Sequence, residues 1–299
     1  MTDASGPAAA PHRLLQDGRF RLVLAAALFS TGGAIIKSTT LSGWQVASFR
    51  SGIAALTLLA LLPAARRGWT WRTLVVAVAY ALTLVLFVVA NKLTTSANTI
   101  FLQSTSPLYI LVLSPLLLRE AVRPRDVGFM LAVAAGLALF FVHREAPVTT
   151  APDPVRGNIL AAVSGLTWAL TVMGLRWLGS DERHGSSFAA MVAGNGFVFL
   201  ACLPLALPVV SATAFDWGAV LFLGTVQIGF AYMLLASGIR QVTALEASLL
   251  LLVEPALNPI WSWMVHGESP SVWALAGAVI IFGATTLRTW HESRTAVVS

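Results

Sequence analysis

Apolar residues run along this chain in blocks of about twenty, separated by short stretches of Gly, Pro, Ser and Arg. A hydrocarbon layer of about 30 Å needs about 20 helical residues to cross it, so each block predicts a membrane helix. Ten spans result, at 20–38, 44–63, 72–91, 97–118, 125–143, 156–176, 185–207, 217–238, 243–265 and 271–289. Most connections are short, and only the stretch from Glu145 to Arg156, with Pro147, Pro152 and Pro154, reads as a hinge between two halves. Residues 1–19, rich in Ala, Pro and polar side chains, predict a disordered cytoplasmic tail, and 290–299 a second tail. The run Leu22 to Ile36, with Ala25, Ala26 and Ala27, also has the outline of a cleaved signal peptide. Its removal would leave an odd number of spans, so it is read as the first helix.

The pattern then repeats. Thr95, Ser96 and Ala97 followed by Pro107 and Glu120 match Thr243, Ala244 and Leu245 followed by Pro255 and Glu268, at a constant offset of 148. Leu24, Ala25 and Ala26 answer Leu160, Ala161 and Ala162, and Lys37 lies beyond Phe29 as Arg176 lies beyond Trp168. The expected fold is therefore an all-α membrane protein of ten transmembrane helices: a five-helix repeat over 20–143, a periplasmic linker over 144–156, and a second repeat over 157–289. Five spans per half make the halves enter from opposite sides, an inverted repeat whose usual substrate site lies near the midplane. Coincidence between Leu- and Ala-rich helices is the competing explanation.

Composition agrees with the spans. With 57% hydrophobic and 11% charged residues and a mean hydropathy of +0.79, the chain has too little polar surface for a soluble domain. The net charge of +6 sits in short basic clusters between apolar runs, with no basic face interleaved with aromatics, so nucleic acid is not an expected partner. With a cytoplasmic N-terminus, fourteen basic residues lie inside: Arg13, Arg19, Arg21, Arg66, Arg67, Arg72, Arg119, Arg123, Arg125, Arg176, Arg183, Arg240, Arg288 and Arg294. Four lie outside, Lys37, Lys92, Arg144 and Arg156, which puts both termini in the cytoplasm of a multi-pass membrane protein. Trp44, Trp69, Trp71, Trp217 and Trp290 fall at the expected interfaces. The single Cys202 excludes an intrachain disulfide, and the histidines His12, His143, His184, His266 and His291 fall in expected loops or tails, so neither a metal nor a cofactor is expected. Neither GxxxxGK[ST] nor HExxH occurs, which argues against an ATP-driven pump or a zinc hydrolase.

Residues that are costly inside a bilayer mark the candidate site. Glu254 and Pro255 fall in mid-span, with Asn258 and Pro259 one turn on. An acid at that depth costs about 2.5–3.5 kcal/mol on insertion scales and so faces a cavity or a partner. Glu254 binds a substrate ammonium, carries a coupling proton, or is a paired structural acid. Its counterpart in the first half is Ser106, so the charge is not required by the symmetry. Pro107 and Pro255 free the carbonyls of Gln103 and Leu251 and are candidate hinges, or passive kinks satisfied by neighbouring hydroxyls. Arg50, inside the second span, is a candidate charge partner for a substrate carboxylate, or snorkels outward. Lys37 and Lys92 are read as solvated anchors. Tyr80, Phe101, Gln103, Trp168, Asn195, Gln227 and Tyr232 complete the candidate binding set, if spans three, four, eight and nine line a cavity with help from six. Each also fits ordinary helix packing.

The segment ALEASLLLLVEPALNPIWSWMVHGESPSVWALAGAVIIFGATTL resembles the closing segment of the EamA-type branch of the drug/metabolite transporter superfamily. Weaker forms stand in SPLYILVLSPLLLREAVRPRDVGFMLAVAAG and in LFSTGGAIIK, where Phe29 replaces the family's usual Trp. The resemblance spans 20–289 and implies export of amino acids, other metabolites or drugs. By length and overall character the aromatic amino-acid exporters of the YddG type are the nearest likeness. The expected function is thus a monomeric secondary transporter exporting aromatic and other neutral amino acids by alternating access. The alternatives are efflux of drugs or of another metabolite such as a nucleobase or sugar, a membrane-embedded enzyme, and a nontransporting scaffold, which would have a closed core and a paired Glu254.

Overall fold

A computed structural model describes residues 17–117, 124–142, 146–179, 185–238, 241, 250–251 and 253–296. Among these the chain is almost wholly helical, and the only β pairing is an isolated bridge between Val148 and Ala151. The helices are α1 (Gly18–Ser30), α2 (Gly32–Ser38), α3 (Gly43–Leu61), α4 (Trp71–Leu93), α5 (Ser96–Gln103), α6 (Ser106–Leu117) and α7 (Pro124–Val142). They continue with α8 (Pro154–Gly179), α9 (Ser187–Ala206), α10 (Ala214–Phe222), α11 (Ala231–Gly238), α12 (Val253–His266) and α13 (Val272–Ala296).

Their starts follow local chemistry. Ser42 with Gln45, Thr70 with Thr73, and Thr213 with Asp216 each form a reciprocal capping box, and Thr95 accepts from the Asn98 amide. Six stretches are long and apolar enough to cross a membrane, from Gly18–Ser38 to Ala214–Leu235, and Val127–Val142 and Val272–Leu287 are shorter apolar helices. This is a multi-span all-α membrane protein.

The fourth predicted span is broken, and Pro107 explains where. Lacking an N–H, it cannot bond the Gln103 carbonyl, and the helix parts at Ser104 and Thr105. The two hydroxyls fold back, Ser104 Oγ to the Ile100 carbonyl at 2.7 Å and Thr105 Oγ1 to the Leu102 carbonyl at 2.6 Å. The carbonyls of Leu102 and Gln103 abut α8 at Gly165, where a Cβ would lie 3.1 and 3.2 Å from them. In the ninth span, 242–249 and Leu252 lie outside the described residues, as do Glu120 and the Thr243 to Leu245 part of the repeat. Pro255 occupies the first turn of α12, and Pro259 lies inside it.

The two halves interleave. α4 packs along α8 and α9, α9 also along α3, α7 along α13, α11 along α1, α12 along α1, α2 and α5, and α5 and α6 along α8. Written as spans, the principal pairs between halves are 3 with 6, 1 with 8, 1 with 9, 4 with 6, 2 with 8, 3 with 7, 2 with 7, 5 with 10 and 4 with 9. Exchanging the halves turns this set into itself, which is the pattern a two-fold axis between them produces. The tryptophans Trp44, Trp69, Trp71, Trp217 and Trp290 are all exposed, as a lipid-interface belt requires.

Two expectations are corrected at the end of the bundle holding Lys37 and Lys92. Neither is a solvated anchor: Lys37 Nζ pairs with Glu268 Oε1 at 2.8 Å with both side chains at most 5% exposed, and Lys92 Nζ donates to the Thr39 carbonyl at 2.7 Å. Loops there bring acceptors within reach of both ammonium groups, which is what a buried charge requires. His266 is not in a loop but ends α12, its Nε2 2.9 Å from the Ala34 carbonyl, and His291 lies within α13.

Candidate functional site

A cavity of about 130 Å³ lies between the halves, lined among others by Phe29, Arg50, Tyr80, Thr83, Gln103, Trp168, Gln227, Tyr232 and Glu254. Seven of the expected residues therefore share one chamber, reached from seven spans rather than the five anticipated. α4 supplies one wall because Tyr80, Thr83, Leu84 and Phe87 recur at helical spacing on one face.

The eighth span supplies the opposite wall through an irregularity. Between α10 and α11 the backbone winds as a π-helix over Leu223–Phe230, which turns Gln227 and Ile228 into the cavity. Gly224 allows this wider segment to lie against α3, since a Cβ there would sit 2.7 Å from the Arg50 carbonyl oxygen. Gln227 Nε2 reaches the Phe29 carbonyl at 3.4 Å, beside the break between α1 and α2, while its Oε1 has no hydrogen-bond partner.

Aromatic rings pack edge to face around the chamber. Tyr232 lies 5.0 Å from Phe29 and 5.9 Å from Tyr80, at interplanar angles of 67° and 86°. Gln103 is oriented by Ser164, to whose Oγ it donates at 2.7 Å. Thr83 Oγ1 joins Thr167 Oγ1 at 3.0 Å and lies 3.3 Å from Thr171 Oγ1, which fixes α4 to α8 beside Trp168.

Two charged groups face this space. Arg50 does not snorkel: it is 2% exposed, its Nη2 makes one long 3.3 Å bond to the Leu84 carbonyl, and its Nε has no partner. Glu254 lines the same cavity with no hydrogen bond or ion pair among the described residues. An unpaired acid beside a central cavity is the opposite of what the scaffold alternative expects.

Two expected residues stand elsewhere. Phe101 lies two positions before Gln103, about 200° around the helix, so only one of them can face the cavity. It packs instead on Phe282 at 5.5 Å and Phe140 at 6.2 Å. Asn195 sits behind the wall, its Nδ2 3.5 Å from the Tyr80 hydroxyl and 2.9 Å from the Met191 carbonyl. Pro107 and Pro255 do not line the cavity, but each lies within four residues of a group that does, Gln103 and Glu254. Phe29 was missed as a lining residue. The repeat carried its signal, since Phe29 is the counterpart of Trp168 and both rings line the chamber. Thr83 was legible as the position one turn beyond Tyr80. Among the described residues no cluster of His, Cys, Asp or Glu could hold a metal.

Helical spans interleaved around a buried chamber with polar groups on apolar walls suit a membrane transporter. Residues 18–142 and 155–290 each match the EamA-like transporter family, to which this chain belongs. It is 29% identical to the pseudopaline exporter CntI of Pseudomonas aeruginosa, over 90% of this chain and 94% of that protein. It is 27% identical to an uncharacterized transporter of Archaeoglobus fulgidus, over 94% and 98% of the two chains. A solved crystal structure, 20% identical, superposes with a TM-score of 0.62 over 93% of this chain and 98% of its own, which supports the fold alone.

Proposed function

We propose that this transporter exports zwitterionic metabolites of the amino-acid class, aromatic and other neutral ones, across the inner membrane by alternating access through the central cavity. The supporting observation is that Arg50 and Glu254 face one chamber without pairing with each other. Uncompensated charges at this depth are retained where a ligand completes them. In this reading the Arg50 fork takes the substrate carboxylate and Glu254 its ammonium. Tyr80, Tyr232, Phe29 and Trp168 receive the side chain, and Gln103 and Gln227 orient it. Asn195 holds the Tyr80 hydroxyl, and Phe101 supports the wall from behind. The break at Pro107 and a hinge at Pro255 let half-helices tilt so that one end opens as the other closes. The relative that exports pseudopaline favours the outward direction.

Efflux of a cationic drug is the second reading, because aromatic walls around a carboxylate suit a lone cation as well. Arg50 separates the two. Purified protein in proteoliposomes should move labelled phenylalanine or leucine down a gradient, and both Arg50→Met and Glu254→Gln should sharply reduce that flux at low substrate concentration. Flux of a lipophilic cation that needs Glu254 but not Arg50, with no amino-acid flux, would replace the proposal by the second reading.

A further inference from the structure

At the end of the bundle that the basic residues assign to the outside, the helix ends are joined through charged groups. Lys37, in the last turn of α2, meets Glu268, in the loop between α12 and α13, at 2.8 Å. The other carboxylate oxygen, Oε2, accepts the Ser96 backbone N–H at 3.1 Å, at the first residue of α5. Lys37 Nζ also donates to the Thr150 carbonyl in the loop joining the halves. One ion pair thereby ties the outer ends of spans one, four and nine and that central loop. Around it, Lys92 holds Thr39, and Asp216 accepts from the Thr40 amide at 2.7 Å and the Thr40 hydroxyl at 2.8 Å.

Beneath the pair lies a set of buried polar groups with nothing to bond. Asn258 is 0% exposed, and neither its Oδ1 nor its Nδ2 has a partner; Ser262 Oγ and Ser96 Oγ, at 1% and 0% exposure, have none either. They converge on α2. A Cβ on Gly33 would lie 2.9 Å from Ser96 Oγ and 3.0 Å from Asn258 Nδ2. His266, two turns beyond Asn258 on the same face of α12, is 2.9 Å from the Ala34 carbonyl, so Ser262 sits between these two contacts. An amide buried without partners costs about 1–3 kcal/mol on protein scales, and three neighbouring orphans are not explained by packing. They are explained if the same surfaces are wet in another state.

We infer that the Lys37–Glu268 pair is the outer gate of the transporter, and that Ser96, Asn258 and Ser262 line the exit path it closes. The inference rests on the transport reading and on the outward placement of Lys37. Opening separates α12 and its following loop from α2 and α5, and water or passing substrate then meets the groups that have no partner in the closed state. Breaking the pair without replacing its charges favours the open form, because each buried ion is then compensated only by solvent.

The test needs no substrate. In a Cys202→Ala background, which leaves no other thiol, Ser262→Cys becomes a reporter for a membrane-impermeant maleimide applied to intact cells. Slow labelling is expected with the pair intact. Glu268→Gln or Lys37→Met should speed it about tenfold or more, equivalent to 1.4 kcal/mol of lost closure. The exchanged pair, Lys37→Glu with Glu268→Lys, loses the contacts to the Ser96 N–H and the Thr150 carbonyl but keeps the ion pair, so it should be slower than either single variant and shows that the chain still folds. Equal rates in all these proteins, or acceleration seen only from the cytoplasmic face of inverted vesicles, would overturn the gate. Acceleration from outside without phenylalanine flux in proteoliposomes would sustain the gate and sink the proposed substrate, so the two failures are distinguishable.

Discussion

Replacing Arg50 by Met is the sharpest probe of the cavity. Met matches the apolar stem and ends where the Arg Nε stands, so the stem's packing is kept while the guanidinium is lost. Arg50 makes one hydrogen bond, 3.3 Å long, and its Nε makes none. Little native bonding is therefore forfeited, and a cation costing about 2.5–3.5 kcal/mol at mid-membrane is removed, so the melting temperature in detergent should hold or rise. A hydrogen bond to a charged group is worth about 1.5–3 kcal/mol. If Arg50 holds a carboxylate, the substitution should weaken apparent affinity roughly 10- to 150-fold for that ligand class alone. The assay is counterflow in proteoliposomes with phenylalanine and with phenethylamine, which lacks the carboxylate. Phenylalanine should lose affinity by that factor, whereas phenethylamine should bind the variant as well as or better than the parent. Equal losses for both ligands would refute the assignment and return Arg50 to a structural role.

Other changes test the surroundings. Phe101→Ala should cost about 3–5 kcal/mol of stability, because it empties the contact with Phe140 and Phe282. Its KM for transport should nonetheless be unchanged, and a KM shift exceeding that of Tyr80→Ala would contradict its placement behind the wall. Asp216→Ala removes the acceptor of four hydrogen bonds from Thr40 and Thr213 and one half of a capping box. A loss of at least about 1–2 kcal/mol should appear in thermal unfolding, with no change in Ser262→Cys labelling unless the Thr40 loop is itself part of the gate. The repeat equates Lys37 with Arg176 and Glu268 with Glu120, whose side chains lie outside the described residues. Sequence equivalence predicts that Arg176→Met speeds labelling of introduced thiols from the cytoplasmic face, and an unchanged rate would show that the halves do not close alike.

Much of this was legible along the chain, because a membrane leaves few options. Backbone groups must be satisfied within each segment, so apolar runs become helices and the run boundaries become loops. The break near Pro107 follows from a missing N–H, the capping boxes from Ser42, Thr70 and Thr213, and the family from the closing segment with its Glu-Pro and Gly-Glu pairs. Residues with a cost at mid-span, Tyr80, Gln103, Trp168, Gln227, Tyr232, Arg50 and Glu254, did converge, since placing them in lipid would be worse.

Which face each helix turned inward depended on the neighbours. Phe101 and Gln103 have equal standing in the sequence, but opposite faces of one short helix send the first into the core and the second into the cavity. The π-wound turn at Leu223–Phe230 shifts the register that carries Gln227 inward, and no residue pattern marks it, because its place depends on Gly224 letting the segment lie against α3 at Arg50. Lys37 looked like an anchor because its partner stands 231 positions away, and a carboxylate that distant becomes a neighbour only when the two halves interleave. Local hydrogen bonding and burial are written residue by residue, whereas the pairing of distant charges is decided by how helices from the two halves close on each other.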